Sequence, residues 1–349
     1  MITRFEKLSP DNPDERILEE AGRILRNGGL AAFPTETVYG LGGNALDSCA
    51  ARRIYAAKGR PSDNPLIVHI AEISAMEAIA SEIPEGAKIL AEKCWPGPLT
   101  MIFRKKDIVP YETTGGLDTV AVRFPANRIA CGLIRHAGGY VAAPSANLSG
   151  RPSPVTAQHV LDDLDGRIDM ILDGGRVRIG LESTIVDFTE EVPVILRPGY
   201  YNQSFLASIL GDVRVDPGIM EENENVRPKA PGMRYRHYAP KGELTIVEGP
   251  RESVPSAIAK LVRSRLAEGK KAGVICTEET RACYRDGIIY TIGELSEEET
   301  IAAHLYEVLR AFDAEGVDYI YSESFYTPRM GQAIMNRLLK AAGHRVIKL

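Results

Sequence analysis

Leu30-Ala-Ala-Phe-Pro-Thr-Glu-Thr-Val-Tyr-Gly-Leu-Gly42 contains a strand, its stop and a polar loop in immediate succession. Leu30 to Phe33 reads as a short buried strand, and Pro34, which cannot donate to a ladder, ends it. The threonines that follow place hydroxyls just past the strand end, a common position for binding residues. Upstream, Asn12 suits a helix cap, Pro13 the first helical position, and Glu15 completes a capping-box spacing. Ile17, Ala21, Ile24 and Leu25 fall on one face of that helix, and Gly28-Gly29 stops it.

Downstream, short apolar runs recur at Leu66–Ile70, Leu99–Phe103, Val120–Phe124, Tyr140–Ala143, Met170–Leu172, Ile185–Phe188 and Val194–Leu196. Few long helical patterns separate them, which predicts a twisted, mixed α/β sheet over residues 1–212. Residues 213–241 are turn-rich and polar without periodicity, yet Met233-Arg-Tyr-Arg-His-Tyr238 is too aromatic and cationic for a plain spacer. They read as a linker that touches something. From residue 242 to 349, strand and helix patterns alternate, which predicts a smaller Rossmann-like parallel α/β domain.

At 349 residues the chain suits about two domains. A net charge of -5 argues against a surface wholly devoted to nucleic acid and leaves room for a local cationic cleft. No apolar run approaches the ~20 residues of a membrane span. The N-terminus lacks a signal peptide's apolar core, so a cytoplasmic protein is expected. Five scattered cysteines, none in a CxxC pair, fit reduced thiols rather than disulfides or a zinc ribbon.

Gly40-Leu-Gly-Gly-Asn-Ala45 formally matches GxGxxA, but Pro34–Tyr39 intervene where a Rossmann turn follows its strand directly. No GxxxxGK[ST] is present, so phosphates must be held by side chains and scattered amides. Lys58 and Arg60, read as an extended segment, would project to one side toward a polyphosphate. Ser62 and Asn64 continue the alternation. Ser145 and Asn147 repeat the spacing after Pro144. His69 and Arg123 interrupt strands that should be half-buried, and the arginine's charge needs a partner such as a substrate carboxylate. Ser183 and Arg197 likewise flank apolar runs.

In this order, PTETVYGLG, KGRP with NPL and VHI, WPGPLT, DTVAVRFP, APSANLSGRPSP, EST and LRPG resemble the Sua5/YrdC family of L-threonylcarbamoyladenylate synthases. APGMRYRHYAP and GQAIMNRLLKA resemble the linker and second domain of its longer, two-domain members. The resemblance implies adenylation of N-carboxy-threonine, formed from L-threonine and bicarbonate, with release of pyrophosphate from ATP. It implies that a separate transferase then serves tRNA adenosine 37, so that tRNA is reached only indirectly.

By the family pattern, Lys58, Arg60, Ser145 and Asn147 form the KxR/SxN catalytic set. Arg60, Asn64, Thr119, Ser145, Ser153 and Arg197 would bind ATP, with Tyr235 or Tyr238 closing over the nucleotide. Thr35, His69, Arg123, Ala143 and Ser183 would surround threonine. Mg2+ is expected to accompany the triphosphate without a carboxylate cage of the protein's own. Two alternatives are an O-carbamoyl transferase of the hydrogenase-maturation type, which the cysteine pattern does not fit, and a non-catalytic RNA-binding module, which the net charge disfavours.

Overall fold

In the computed structural model, residues 2–219, 230 and 237–349 are described. They divide into two units, the second made of Gly150–Pro152, Ile179–Leu181 and the described residues from His237 onward.

The first unit carries strands β1 (Arg4–Lys7), β2 (Ala31–Phe33), β3 (Gly40–Asn44), β4 (Ile67–His69), β5 (Leu99–Arg104), β6 (Thr119–Arg123), β7 (Val141–Ala142), β8 (Met170–Asp173), β9 (Thr184–Asp187), β10 (Val194–Arg197) and β11 (Arg214–Val215). They hydrogen-bond in the order β1-β8-β2-β3-β7-β4-β6-β5-β9-β10-β11. Parallel and antiparallel pairs alternate through much of the sheet, as at β4–β6 and β5–β6. The expected mixed sheet is therefore present.

Its helices are α1 (Glu15–Arg26), α2 (Ser48–Lys58), α3 (Met76–Ile79), α4 (Glu85–Cys94), α5 (Arg128–His136), α6 (Ala157–Leu164) and α7 (Gln203–Leu210). Helices α1 and α5 pack together over β2, β7 and β8 through Leu18, Leu25, Leu133, Phe33, Val141 and Leu172. Each such leucine buried from water contributes roughly 1.5–3 kcal/mol.

Three local expectations are corrected. Helix α1 begins at Glu15, and Asp14 rather than Asn12 caps it by accepting from Arg16 N. The carboxylate two positions later wins because it reaches the orphan amides directly. Second, Gly40-Leu-Gly-Gly-Asn44 is a strand, paired antiparallel with β2 through Ala31–Phe33, and not a loop. A Cβ at Gly42 would stand 2.9 Å from Val141 Cγ1, so small residues here serve close packing.

Third, Lys58 and Arg60 do not lie on an extended segment. Lys58 ends α2, and Gly59 turns the chain with φ 61°, a left-handed cap that suits glycine. The two side chains therefore leave in directions that strand alternation does not describe.

In the second unit, β12 (Glu243–Glu248), β13 (Ala272–Cys276), β14 (Ile288–Thr291), β15 (Tyr319–Ser322) and β16 (Val346–Lys348) form a parallel sheet in the order β14-β13-β15-β12-β16. Helices α8 (Val254–Ala267), α9 (Glu298–Glu315) and α10 (Gly331–Ala342) connect them. Continuous apolar strands such as Ala-Gly-Val-Ile-Cys276, buried throughout, are what a parallel sheet covered by helices requires.

Candidate active site

Strand register assembles a row of polar side chains. Parallel pairing of β4 with β6 sets His69 beside Arg123. Antiparallel pairing of β6 with β5 sets Arg123 beside Thr100. Ser183, just before β9, brings its Oγ within 2.7 Å of Thr100 Oγ1. Arg197 on β10 donates from Nε to the Ser183 carbonyl at 3.0 Å and from Nη2 to Ser183 Oγ at 3.1 Å. Paired residues share a sheet face, so neighbouring strands present His69, Arg123, Thr100, Ser183 and Arg197 together. Thr100 was not anticipated; the signal was a hydroxyl inside the otherwise apolar Leu-Thr-Met-Ile-Phe run.

Arg123 is an ion-pair partner of Glu36. Nη2 lies 2.8 Å from Glu36 Oε1, with both side chains only 5% exposed. That separation is short, but the approach is not aligned for a hydrogen bond. Arg123 Nε, Arg123 Nη2 and Glu36 Oε1 are all buried without a hydrogen-bond partner. Glu36 Oε2, by contrast, accepts from Ala126 N at 3.1 Å. Buried charged groups with unmet hydrogen-bonding capacity are costly and call for an explanation.

Around this pair, Thr35 Oγ1 organises its own loop, accepting from Thr37 N and Val38 N and donating to the Val38 carbonyl at 2.7 Å. His69 Nδ1 lies 3.1 Å from the Ile67 carbonyl. Burial first, and then the charge of Arg123, push the His69 pKa down to about 3, so the ring is neutral at neutral pH. Its edge meets Phe33 at 6.1 Å between ring centroids. Ala143 is buried and its amide donates to the Ile67 carbonyl.

A second cluster gathers at the other end of β4. Lys58, 2% exposed, donates from Nζ to the carbonyls of Ser145 and Asn147, each at 2.5 Å. Ser145 Oγ donates to Asn147 Oδ1 at 2.6 Å. Arg60 donates from Nε to the Asn64 carbonyl and from Nη2 to the Pro65 carbonyl, both at 3.2 Å. Asn64 Oδ1 is buried and has no hydrogen-bond partner.

Thr119 begins β6, where it pairs with Arg104, and stands roughly 13 Å along that strand from Arg123. Ser153 Oγ donates to Glu182 Oε1 at 2.6 Å, next to Ser183.

Ala230, from the stretch read as linker, is fully buried against Ile67, Ile102, Ala121 and Ile185. Ile67 and Ala121 lie two residues before His69 and Arg123 on their strands and so share their face. Tyr238 is buried, with its ring 5.1 Å from that of Tyr306 on α9 in the second unit. Tyr235 lies outside the described residues. A separate depression of about 730 Å³ in the second unit is lined by Arg251, Arg263 and Arg285 and by Glu252, Glu279 and Asp286. Their charges balance, and it contains none of the expected residues. Among the described residues, no group of three His, Cys, Asp or Glu side chains could hold a metal ion, and no helix is long and apolar enough to cross a membrane.

Residues 23–199 match the Sua5/YciO/YrdC family model, described as "Telomere recombination", and residues 202–343 match that of the "Threonylcarbamoyl-AMP synthase, C-terminal domain". The chain is 49% identical to the threonylcarbamoyl-AMP synthase of Pyrococcus abyssi over 97% of its own length and 98% of the relative's. It is 47% identical to the Bacillus subtilis protein of the same name, over 98% and 97%. Among solved structures, P. abyssi Sua5 complexed with L-threonine superposes with a TM-score of 0.94 at 46% identity, covering 99% of this chain and 100% of that one.

Proposed function

The chain belongs to the Sua5/YrdC family of threonylcarbamoyl-AMP synthases and is an adenylate-forming nucleotidyltransferase of tRNA threonylcarbamoyladenosine (t6A) formation; we propose how its two polar clusters divide that reaction. ATP and L-threonine are its substrates. Bicarbonate supplies the carbon that joins them. The ammonium of bound threonine first gives up a proton to solvent, and the free amine and bicarbonate then give N-carboxy-threonine with loss of water. Its new carboxylate attacks the α-phosphorus of ATP, the bond to the β-phosphate oxygen breaks, and pyrophosphate leaves.

Such a reaction needs alignment of the attacking and leaving oxygens and fixed positive charge around them, rather than a protein nucleophile. The transverse row holds threonine. Arg123 takes its carboxylate, neutral His69 and Ser183 offer uncharged polar contacts, and the Thr35 loop and Ala143 complete the walls. Lys58, Arg60, Asn64, Thr119, Ser145 and Asn147 serve MgATP, whose Mg2+ enters with the substrate, and Ser153 and Arg197, at the Ser183 end of the row, reach the nucleotide where the two substrates meet.

The observation that carries this division is Arg123, a buried guanidinium with unmet donors in the row, between His69 and Thr100. The burial of Ala230 on the same face supports a linker that touches this domain, and Tyr235 or Tyr238 is the residue assigned to the nucleotide. The product passes to a threonylcarbamoyl transferase acting on tRNA adenosine 37, and the enzyme works in the cytoplasm.

Supplying ¹³C-bicarbonate with ATP and L-threonine tests the carbon source. The threonylcarbamoyl-AMP formed is expected to carry the label, seen as a mass shift. Unlabelled product, or product formed from carbamoyl phosphate in place of bicarbonate, would overturn this part of the mechanism.

A further inference from the structure

We propose that Glu36 is a specificity-determining residue that receives the α-ammonium group of the amino-acid substrate, so that Glu36 and Arg123 together recognise a zwitterion. This rests on the assignment of threonine to the row around Arg123.

The basis is the arrangement of the buried pair. Glu36 and Arg123 are each 5% exposed and stand 2.8 Å apart. Glu36 Oε2 is satisfied by Ala126 N, which fixes the carboxylate. Glu36 Oε1, Arg123 Nε and Arg123 Nη2 are left with charge balance but without hydrogen bonds. One acceptor and two donors are therefore unmet within a single buried ion pair. An α-amino acid brings the complementary set, a carboxylate with acceptors and an ammonium with donors.

Charge counting favours the same ligand. Adding a bare carboxylate beside Arg123 would leave two buried anions against one cation, at a high desolvation cost. A zwitterion adds no net charge. Its carboxylate faces the guanidinium while its ammonium faces Glu36, and each buried charge keeps an opposite neighbour. A neutral residue at position 36 would remove this discrimination while leaving the carboxylate contact intact.

The test is isothermal titration of the full-length protein with L-threonine, with 2,3-dihydroxybutanoate (hydroxyl in place of the ammonium) and with threonine methyl ester. The wild-type protein is expected to bind both analogues at least about tenfold more weakly than threonine, a factor that corresponds to about 1.4 kcal/mol. In Glu36→Gln, threonine should weaken by about tenfold or more while 2,3-dihydroxybutanoate holds or gains. The preference between the two would then shrink.

Equal wild-type affinity for threonine and 2,3-dihydroxybutanoate would overturn the proposal, and this comparison needs no variant to fold. So would a Glu36→Gln protein, with a melting transition like that of the wild type, that keeps the full preference. Arg123→Gln separates the two levels. If it too leaves threonine binding unchanged, threonine is not held at this row at all. If it abolishes threonine binding while Glu36→Gln keeps the preference, only the role of Glu36 falls.

Discussion

The ammonium of Lys58 lies 2.5 Å from the carbonyl oxygen of Asn147, and the same Nζ makes an equal contact with Ser145, fastening the end of α2 to the turn after β7. The KxR and SxN segments are thus one structural unit. On the proposed assignment of Lys58 to the triphosphate, the lysine would act by shaping that turn as well as by its charge. Lys58→Ala should strip two carbonyls of their donor, costing about 1–3 kcal/mol in stability for each one left unsatisfied. A lowered melting temperature together with weakened ATP binding is expected. A normal melting transition with only slower turnover would show that the lysine acts as a charge alone.

Arg123→Lys keeps a cation beside Glu36 but replaces a planar fork with a point charge. Threonine affinity should fall by about tenfold or more, because bidentate carboxylate binding is lost. The melting temperature should change little, and ATP affinity, measured separately, should hold. A parallel loss of ATP affinity would contradict the separation of the two clusters.

His69 makes stability depend on pH in a definite direction. Its folded pKa, about 3, lies below the ordinary value of 6.5. Between those values the unfolded chain binds a proton that the folded protein does not, so stability falls as pH drops through this window and is insensitive to His69 above it. One proton gives a slope of at most about 1.4 kcal/mol per pH unit. Denaturant titrations from pH 6.5 to 4 should show a shallower loss in His69→Gln than in the wild type. Equal slopes would mean that His69 is not buried as a neutral ring.

At Gly199 a Cβ would stand 2.4 Å from Thr184 N and 2.8 Å from the Ser183 carbonyl carbon, against backbone that cannot rotate away. Gly199→Ala should therefore cost about 1–3 kcal/mol through overpacking. It should also move Ser183, so threonine affinity is expected to drop with stability. Retention of both, by thermal melting and threonine titration, would show that the turn can shift freely.

The sequence conveyed the strands well because each is a short apolar run bounded by a proline, a glycine or a polar residue. Alternating strand and helix patterns over residues 242–349 predicted the parallel α/β arrangement of β12 to β16. It hid β3, since Gly40-Leu-Gly-Gly-Asn44 has almost no side chains to show a pattern, and its pairing comes from packing against Phe33 and Val141. It hid the helical end at Lys58 because Gly59 looks the same in a loop and in a left-handed cap. Of the site, Arg123 was readable as a charge in need of a partner. The partner within the protein, Glu36, was not, because it comes from a loop whose approach to β6 no local pattern encodes. Thr100 was missed for the same reason, its meaning arising only when β9 brings Ser183 beside it.

Pyrophosphate release from ATP by the purified protein, with L-threonine and bicarbonate each omitted in turn, tests the central claim most directly. Release that needs both, together with threonylcarbamoyl-AMP in the product, is the predicted result. Release that proceeds without threonine, or no release from folded protein under any combination, would contradict it.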